Sequence, residues 1–239
     1  EVIVDNDTCL SSASSYVELP RKSAPFATLE GLPGFAQRQS VYTDGTNPFQ
    51  AGTVRWAPAE RKDEGSQIRW IPDIPETGYY AVYVSYATVE NSISDAHYRV
   101  YHSGGTTEFS VNQRMGGSTW VYLGTFLFEK GMNRNGMVTL TNQSRERGVV
   151  TADAVRFGGG MGNIARGGAT SGLPRYLEGS RYYAQWAGMP EEVYYTKEGE
   201  NDYAEDINTR PLAVNYLSAG SVRNPQGFGG CVPFELALA

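Results

Sequence analysis

The feature that most constrains the fold is a series of short segments in which apolar and polar residues alternate with a period of two. In the segment 78–89, for example, Tyr80, Val82, Val84 and Tyr86 fall on one face of an extended chain. Turns containing Gly and Asn separate the segments, and HSGGTT between two of them predicts a hairpin. The segments with strand character are 1–5, 66–71, 78–89, 96–105, 106–113, 118–128, 136–142 and 149–157.

Strands at such short spacing predict a mainly β chain, built as a jelly-roll-type antiparallel β-sandwich over residues 1–158. The composition agrees with this prediction. Gly (28 residues) and Tyr (16 residues) are abundant and only 19% of the residues are charged, a profile typical of β-structure with many turns. Residues 8–65 are less regular and rich in Ser, Pro and Gly, and we expect long loops there.

A Gly-rich segment marks a change of pattern. Glycines concentrate in 156–168, where a regular element cannot persist, and residues 159–172 are predicted to form a linker. Residues 173–239 then show helical spacing in two stretches, 173–190 and 201–220, followed by a terminal apolar run. Two helices and one strand predict a small, incomplete α/β region after the sandwich.

The charge and hydropathy of the chain exclude two classes of partner. The formal net charge is −6 and the pI is about 5.1, whereas binding to a phosphate backbone requires a basic surface. No apolar stretch reaches the ~18–20 residues that a membrane-spanning helix needs. The sequence therefore predicts neither a nucleic-acid partner nor a membrane span.

The sandwich segments resemble a known family. The matching stretches cover most of residues 66–157 and are IPETGYYAVYVSY, AHYRVYHSGGTTEFSVNQRMGGSTWVYLGTFLFEKG and VVTADAVRF. They resemble the golvesin-like module, also called the golvesin/xanthan-lyase carbohydrate-binding-like domain, and VIVDND is similar to its usual opening. The resemblance implies a β-sandwich attached to extracytoplasmic bacterial enzymes (periplasmic, cell-surface or secreted) that act on polysaccharide or cell wall. It also implies carbohydrate binding.

Residues 173–239 resemble the middle of a zinc-dependent N-acetylmuramoyl-L-alanine amidase-like fold. In that family a first His lies in a Gly-rich loop and a zinc-binding Glu opens a helix. An Arg and an Asn follow on another helix, and a strand leads to a second His. Glu178 in YLEGSRYYAQWAGMP matches the Glu, Arg210 and Asn215 in NTRPLAVN match the next helix, and CVPFELALA matches the strand.

This second resemblance implies that the chain is a fragment of a longer protein. Its histidines are His97 and His102, both inside the predicted sandwich, so the first family His would lie upstream of this sequence and the second just downstream. A catalytic zinc needs three protein ligands, and only Glu178 matches that set. We therefore expect Glu178 to be a zinc ligand in a complete parent protein only, and this chain to have neither bound zinc nor amidase activity.

Four aromatic side chains are candidates for stacking on sugar rings. Tyr79 and Tyr83 fall on the face opposite to the predicted core face of their strand, and Tyr101 and Trp120 are further candidates. Tyr and Trp are equally common as core or half-buried strand residues. Packing is therefore the alternative role for each of the four.

Three acidic side chains are candidates for a structural Ca²⁺ site. Asp153 alternates with the apolar residues that follow it and points inward, where a carboxylate is costly unless it is paired, hydrogen-bonded or bound to a metal. By similarity to jelly-roll carbohydrate modules, Asp5 and Asp7 near the N-terminus would supply the other carboxylates, with carbonyls and water completing the shell. The alternative is that Asp153 accepts backbone N–H bonds or pairs with an Arg.

Two classes of function fit these patterns. The first is a non-catalytic module that binds a polysaccharide or a peptidoglycan glycan for an attached catalytic domain. The second is an enzyme fragment, either of a zinc amidase or of a polysaccharide lyase of the xanthan type. A lyase needs a general base beside a cation or Arg that neutralises a carboxylate, and the sequence shows no constellation with such a spacing. We therefore favour the binding module.

Overall fold

The computed structural model describes residues 1–7, 15–21, 24–43, 45–61, 65–219 and 227–234. Within these ranges the chain divides into two compact units. We call residues 1–38 with 49–158 the sandwich unit, and residues 39–48 with 159–239 the helical unit. No helix in the described ranges is both long enough and apolar enough to cross a membrane.

Antiparallel strands build the sandwich unit. The described strands are β1 (Val2–Val4), β2 (Ser15–Leu19), β3 (Ala27–Gly34), β4 (Gly52–Pro58), β5 (Gln67–Ile71), β6 (Gly78–Val84), β7 (Ala96–His102), β8 (Gly105–Val111), β9 (Val121–Phe128), β10 (Met137–Thr141), β11 (Val149–Ala152) and β12 (Val155–Phe157). A four-stranded sheet has the order β1-β12-β6-β9, a five-stranded sheet the order β2-β5-β10-β7-β8, and a three-stranded sheet the order β11-β4-β3. The predicted mainly β, antiparallel sandwich with a small C-terminal region is confirmed.

Side chains from all three sheets meet in one core. Val82 and Val84 of β6, Tyr98 of β7 and Leu140 of β10 are all fully buried there, as the period-two pattern predicts. Trp70 of β5 is fully buried in this core, and its indole N–H donates a hydrogen bond of 2.9 Å to the backbone carbonyl of Asp153. A buried indole therefore keeps its donor satisfied, as a buried Trp requires.

The predicted hairpin joins β7 to β8. Its loop consists of Ser103 and Gly104, and His102 pairs directly with Gly105. Gly105 has φ +125°, a conformation that residues with a side chain rarely adopt, so a glycine is needed at this position of HSGGTT.

The prediction of long loops over residues 8–65 is wrong for much of that range. β2, β3 and β4 lie there, and a 3₁₀ helix covers Pro48–Gln50. The local sequence of β3 is not typical of a strand, because β3 includes Pro33 and Gly34. The register of β3 against β4 also shifts between Thr28 and Pro33. Its partner strand β4, rather than its own propensity, makes this segment extended.

Helices dominate the C-terminal part of the helical unit. They are a 3₁₀ helix at Arg175–Leu177, α1 (Ser180–Trp186), α2 (Glu191–Tyr194) and α3 (Asp202–Ser218). The stretch 173–190 is thus not one helix, because Glu178 and Gly179 are extended between the first two elements. Of the predicted terminal strand, residues 231–234 form no strand and residues 235–239 lie outside the described residues.

Helix α3 begins where the sequence predicts. Asn201 is its N-cap, and the side-chain oxygen accepts a hydrogen bond of 3.0 Å from the N–H of Ala204. Pro211 neither splits the helix nor begins a second one, since α3 continues through it to Ser218. Helices α1, α2 and α3 enclose a small apolar cluster centred on Ala184, Val193 and Tyr194.

A buried ion pair joins α1 to α3 in the helical unit. Arg181 Nη1 lies 2.8 Å from Glu205 Oε2, and the two side chains are 5% and 0% exposed. The other oxygen of Glu205 accepts hydrogen bonds from the N–H groups of Lys197 and Gly199. One carboxylate therefore fixes two helices and the turn that precedes α3.

Replacement of Glu205 by Ala should lower the free energy of unfolding of the helical unit by about 2–4 kcal/mol. It leaves the buried Arg181 with Asp202, at 2.8 Å, as its remaining carboxylate partner, and it removes the acceptor of the Lys197 and Gly199 N–H groups. Urea unfolding followed by the helical circular dichroism signal measures this change. The control is Arg210→Ala, which breaks an exposed pair with Asp206 at 3.1 Å and should cost at most about 0.5 kcal/mol. Equal small losses in both variants would contradict the assigned role of the buried pair.

A buried glutamine replaces strand pairing at one side of the sandwich. Gln113 is fully buried; its amide N–H donates to the carbonyl of Thr151 at 2.7 Å, and its amide oxygen accepts from the Thr151 N–H at 3.0 Å. The side chain thus gives hydrogen-bond partners to both backbone groups of Thr151 in β11.

The variant Gln113→Leu should destabilise the sandwich unit by about 2–4 kcal/mol, since it leaves a buried N–H and a buried C=O unsatisfied. Tryptophan fluorescence during urea unfolding measures the change. Thr106→Val, at an exposed position of β8, is the control and should stay within about 0.5 kcal/mol of the parent. A Gln113→Leu variant as stable as the control would show that these hydrogen bonds contribute nothing to the free energy of unfolding.

Candidate functional site

Exposed tyrosines lie together on the outward face of the four-stranded sheet. Tyr79 of β6 is 75% exposed and Tyr122 of β9 is 55% exposed. Tyr83 of β6 pairs directly with Tyr122, and their ring centroids lie 5.3 Å apart. Tyr79 and Tyr83 are four residues apart on one strand, which places them about 13 Å from each other. We call Tyr79, Tyr83 and Tyr122 the tyrosine surface.

Buried and polar neighbours hold two of these rings in place. The guanidinium carbon of Arg156, a side chain only 2% exposed, lies 3.8 Å from the centroid of the Tyr83 ring. Glu1 pairs with the same guanidinium at 3.4 Å. The hydroxyl of Tyr122 lies 2.8 Å from that of Thr125. The cation beneath the Tyr83 ring and the hydrogen bond of the Tyr122 hydroxyl restrict the motion of these side chains before a ligand binds. Less conformational entropy is therefore lost on binding.

The structure brings two of the four predicted aromatic residues together. Tyr79 and Tyr83 share the tyrosine surface, whereas Tyr101 lies on β7 of the five-stranded sheet and lines a separate cleft of about 290 Å³. Trp120 packs in an aromatic cluster, with its ring centroid 4.9 Å from that of Phe35 and 5.3 Å from that of Phe49.

Tyr122 is the member of the surface that the sequence prediction lacks. Simple alternation fails in β9, because its register against β6 shifts between Val82 and Tyr83 and Gly124 adopts φ +157°. The signal that could have identified it is a cross-strand one. An aromatic residue opposite Tyr83 forms a stabilising pair on the same face.

Asp153 lies where the chain passes from the three-stranded to the four-stranded sheet, and it is 1% exposed. Its carboxylate accepts hydrogen bonds from the N–H of Phe35, at 3.0 and 3.2 Å to the two oxygens, and from the Ser85 hydroxyl at 3.0 Å. Burial raises the pKa of Asp153 to about 7, and these donors oppose the rise. The bond from the Phe35 N–H corresponds to one alternative given for Asp153 in the sequence analysis, in which its carboxylate accepts backbone N–H bonds.

The other two predicted acids lie beside Asp153 just after β1. Asp5 is 6% exposed, and burial raises its pKa well above the usual range, with the charges of Asp153 and Asp7 adding to the rise. Asp7 Oδ2 accepts hydrogen bonds from the N–H and hydroxyl of Thr53 and from the side-chain amide of Asn6, at 2.5–3.2 Å. In the described part of the chain, no three or more His, Cys, Asp or Glu side chains are grouped so as to hold a metal ion.

Glu178 lies in a cleft of about 450 Å³ in the helical unit. Its Oε1 accepts a hydrogen bond from the Ser171 hydroxyl. Tyr182 donates a hydrogen bond of 2.5 Å to Asp202 in the same cleft, and burial followed by this bond raises the pKa of the Tyr182 phenol. The charged and aromatic residues that line the cleft are Arg166, Glu178, Tyr182, Asp202, Tyr203 and Asp206.

The other residues of the amidase resemblance have structural partners. Arg210 pairs with Asp206 one turn earlier in α3, and the backbone carbonyl of Asn215 accepts a hydrogen bond from the Ala219 N–H near the end of that helix. His97 and His102 both lie on β7 of the sandwich unit. A zinc role for Glu178 therefore stays a prediction about a longer protein.

Comparisons with known proteins match the sandwich unit. A xanthan lyase of Bacillus sp. (strain GL1) is 36% identical over 92 residues, which are 38% of this chain and 10% of that protein. The structure of a Paenibacillus xanthan lyase is similar at 25% identity and a TM-score of 0.45, covering 65% of this chain and 12% of that chain. The apo carbohydrate-binding module BiXyn10A CBM1 is similar at 11% identity and a TM-score of 0.35, covering 65% and 97%.

A family model also matches the chain. The family model described as the Golvesin C-terminal domain matches residues 40–159, which make up half of the 239-residue chain. The resemblance to a golvesin/xanthan-lyase-like module is thereby confirmed, whereas the amidase resemblance of residues 173–239 gains no support. The chain belongs to the Golvesin C-terminal domain family.

Proposed function

We propose that this chain is a non-catalytic module that binds a polysaccharide or a peptidoglycan glycan for an extracytoplasmic bacterial protein that processes such polymers. The observation that carries the proposal is the tyrosine surface. Membership of the Golvesin C-terminal domain family and the identity to a xanthan lyase support the carbohydrate class. A module that meets a polymer outside the cytoplasm would act at the cell surface, in the periplasm or in the medium.

The physical argument starts from the exposure of Tyr79 and Tyr122. Large aromatic side chains on a soluble protein are usually buried at least in part, and a group of exposed rings marks an interaction surface. A pyranose ring offers an apolar C–H face and polar edges, which suits a Tyr ring that has an apolar face and a hydroxyl tip. The spacing of about 13 Å between Tyr79 and Tyr83 allows contact with more than one sugar of a chain.

The alternative is that the chain is a fragment of an enzyme. The xanthan lyase relative gives specific support to a lyase parent, while the zinc amidase parent rests on the resemblance of Glu178, Arg210, Asn215 and the segment CVPFELALA. Both versions require catalytic groups outside this chain, and the amidase version takes only Glu178 of its zinc ligands from within it. The activities of a parent protein therefore leave the proposed binding role of the sandwich unit unchanged.

Each of the variants Tyr79→Ala and Tyr122→Ala should weaken glycan binding about five- to tenfold, because a truncated central aromatic contact typically loses 1 kcal/mol or more. Titration calorimetry with soluble xanthan and with solubilised peptidoglycan fragments measures the affinities. Tyr176→Ala, which removes an 80% exposed tyrosine of the helical unit, is the matched control and should bind normally. Loss of affinity in the control, or in none of the three variants, would contradict the assigned surface.

Incubation of the unaltered chain with the same polymers should release neither reducing ends nor unsaturated uronate products. A binding module lacks the general base and the neutralising cation that a lyase requires, and Glu178 alone cannot hold a catalytic zinc. Absorbance of unsaturated uronate and a reducing-end assay measure turnover. Product formed in proportion to the protein concentration would contradict the proposal of a binding module and favour that of an enzyme fragment.

A further inference from the structure

Basic side chains gather on the outward face of the five-stranded sheet. Ile68 of β5 and Tyr98 of β7 are core residues. The residues that follow them, Arg69 and Arg99, therefore point to the opposite face. Both arginines pair with Thr139 of β10, one from each side. Their Cα atoms are thus two strand spacings, about 10 Å, apart.

A cleft of about 440 Å³ continues this face at one end of the strands. Its lining residues are Arg61, His97, Gln143, Ser144 and Arg145. His97 precedes Arg99 by two residues on β7, so it lies on the same face about 7 Å further along. We call Arg61, Arg69, His97, Arg99 and Arg145 the basic surface.

Three arginines of the basic surface lack an acidic partner. Within the described ranges, Arg61, Arg69 and Arg145 form no ion pair. Arg69 Nε instead donates a hydrogen bond of 2.6 Å to the neutral amide oxygen of Gln67. The chain as a whole carries a net charge of −6, so acids are in excess and yet none is placed against these three guanidinium groups.

Two acids beside the basic surface leave its guanidinium groups accessible. Asp95 accepts hydrogen bonds from the Ser144 hydroxyl and, at 3.1 Å, from the backbone N–H of Arg145. It therefore holds the backbone of this loop and not the Arg145 side chain. Glu108 pairs with Arg99 at 2.8 Å, but the two side chains are 64% and 43% exposed. An exposed pair contributes little stability, so a carboxylate of a ligand can replace Glu108.

A buried hydroxyl lies between two of the arginines. Thr139 is 1% exposed, and its hydroxyl oxygen has no hydrogen-bond partner in the described part of the chain. Such atoms are uncommon, because nearly all buried polar groups are paired. The register places this hydroxyl between Arg69 and Arg99, where a polar ligand would supply the missing partner.

We propose that the basic surface binds the carboxylates of an acidic polysaccharide, a polymer that carries uronate groups. A guanidinium binds a carboxylate through two parallel hydrogen bonds. Arginines spread over about 10 Å can bind carboxylates on different sugars of one chain, which raises the overall affinity. This second site lies on a different sheet from the tyrosine surface. That the polymer is a polysaccharide rests on the proposed function, whereas its negative charge follows from the basic surface alone.

Titration calorimetry on the full 239-residue chain should compare polygalacturonate with its fully methyl-esterified form, which keeps the sugar backbone and lacks the charge. Polygalacturonate should bind about tenfold or more tightly at about 0.01 M salt, and the difference should disappear at about 1 M salt, where the Debye length has fallen from roughly 30 Å to 3 Å. The double variant Arg69→Gln, Arg145→Gln should lose most of this difference. The control Lys197→Gln, Arg210→Gln removes the same charge from exposed positions of the helical unit and should retain it.

Three results would overturn the proposal. They are equal affinity for the charged and the esterified polymer, equal affinities of the two double variants, and equally tight binding of single-stranded DNA, which would indicate a surface for any polyanion. Should a variant fail to fold, the salt titration and the esterified polymer still decide the question on the unaltered chain.

The same measurements separate the basic surface from the tyrosine surface. Tyr79→Ala and Tyr122→Ala should keep the salt-dependent part of the binding, because they leave the basic surface intact. If these variants bind xanthan normally while the arginine variant loses polygalacturonate, the tyrosine surface is contradicted and the basic surface stands. If they lose xanthan while charged and esterified polymer bind alike, the basic surface is contradicted and the tyrosine surface stands.

Discussion

The sandwich depends on a buried carboxylate at the point where the chain leaves one sheet and enters another. Ala152 is the last residue of β11 and Val155 the first of β12, and Asp153 lies between these two strands. Its carboxylate accepts from the N–H of Phe35, which follows β3, and from the hydroxyl of Ser85, which follows β6. The ends of strands from two sheets are thereby held at one point. Because an unsatisfied buried carboxylate is costly, these donors and the crossing stabilise one another.

The same crossing connects the core to the tyrosine surface. Along β12 the side chains alternate, so that Val155 and Phe157 enter the core while Arg156 points to the other face, beneath the ring of Tyr83. The pairing of β12 with β6 places Arg156 directly opposite Tyr83. A candidate ligand surface built in this way rests on strands rather than on loops, which favours a fixed spacing of its rings.

Sequence patterns predict those parts of the fold whose signals are local. The strands β5 to β8 show a period of two, and the outward face of β6 identifies Tyr79 and Tyr83 in advance. The sequence does not predict β3, because this segment is extended by its pairing with a distant strand. It does not identify Tyr122, because a bulge interrupts the alternation in β9. The burial of the Asp5 carboxylate beside Asp153 and Asp7 cannot be derived from local sequence at all, since it depends on how the fold packs the end of β1. Hydrogen-bond satisfaction is a property of the assembled fold.

The pairing of β1 with β12 has a consequence for how the protein folds. Val2 pairs with Phe157, so the first strand of the sandwich finds its partner only when the last one is present. Contacts of such long sequence separation slow folding, because a large loop must close before they contribute. During synthesis the three apolar residues of β1 would stay unpaired until β12 has been synthesised. We therefore expect the four-stranded sheet to be completed last, at a rate that chain closure rather than strand propensity limits.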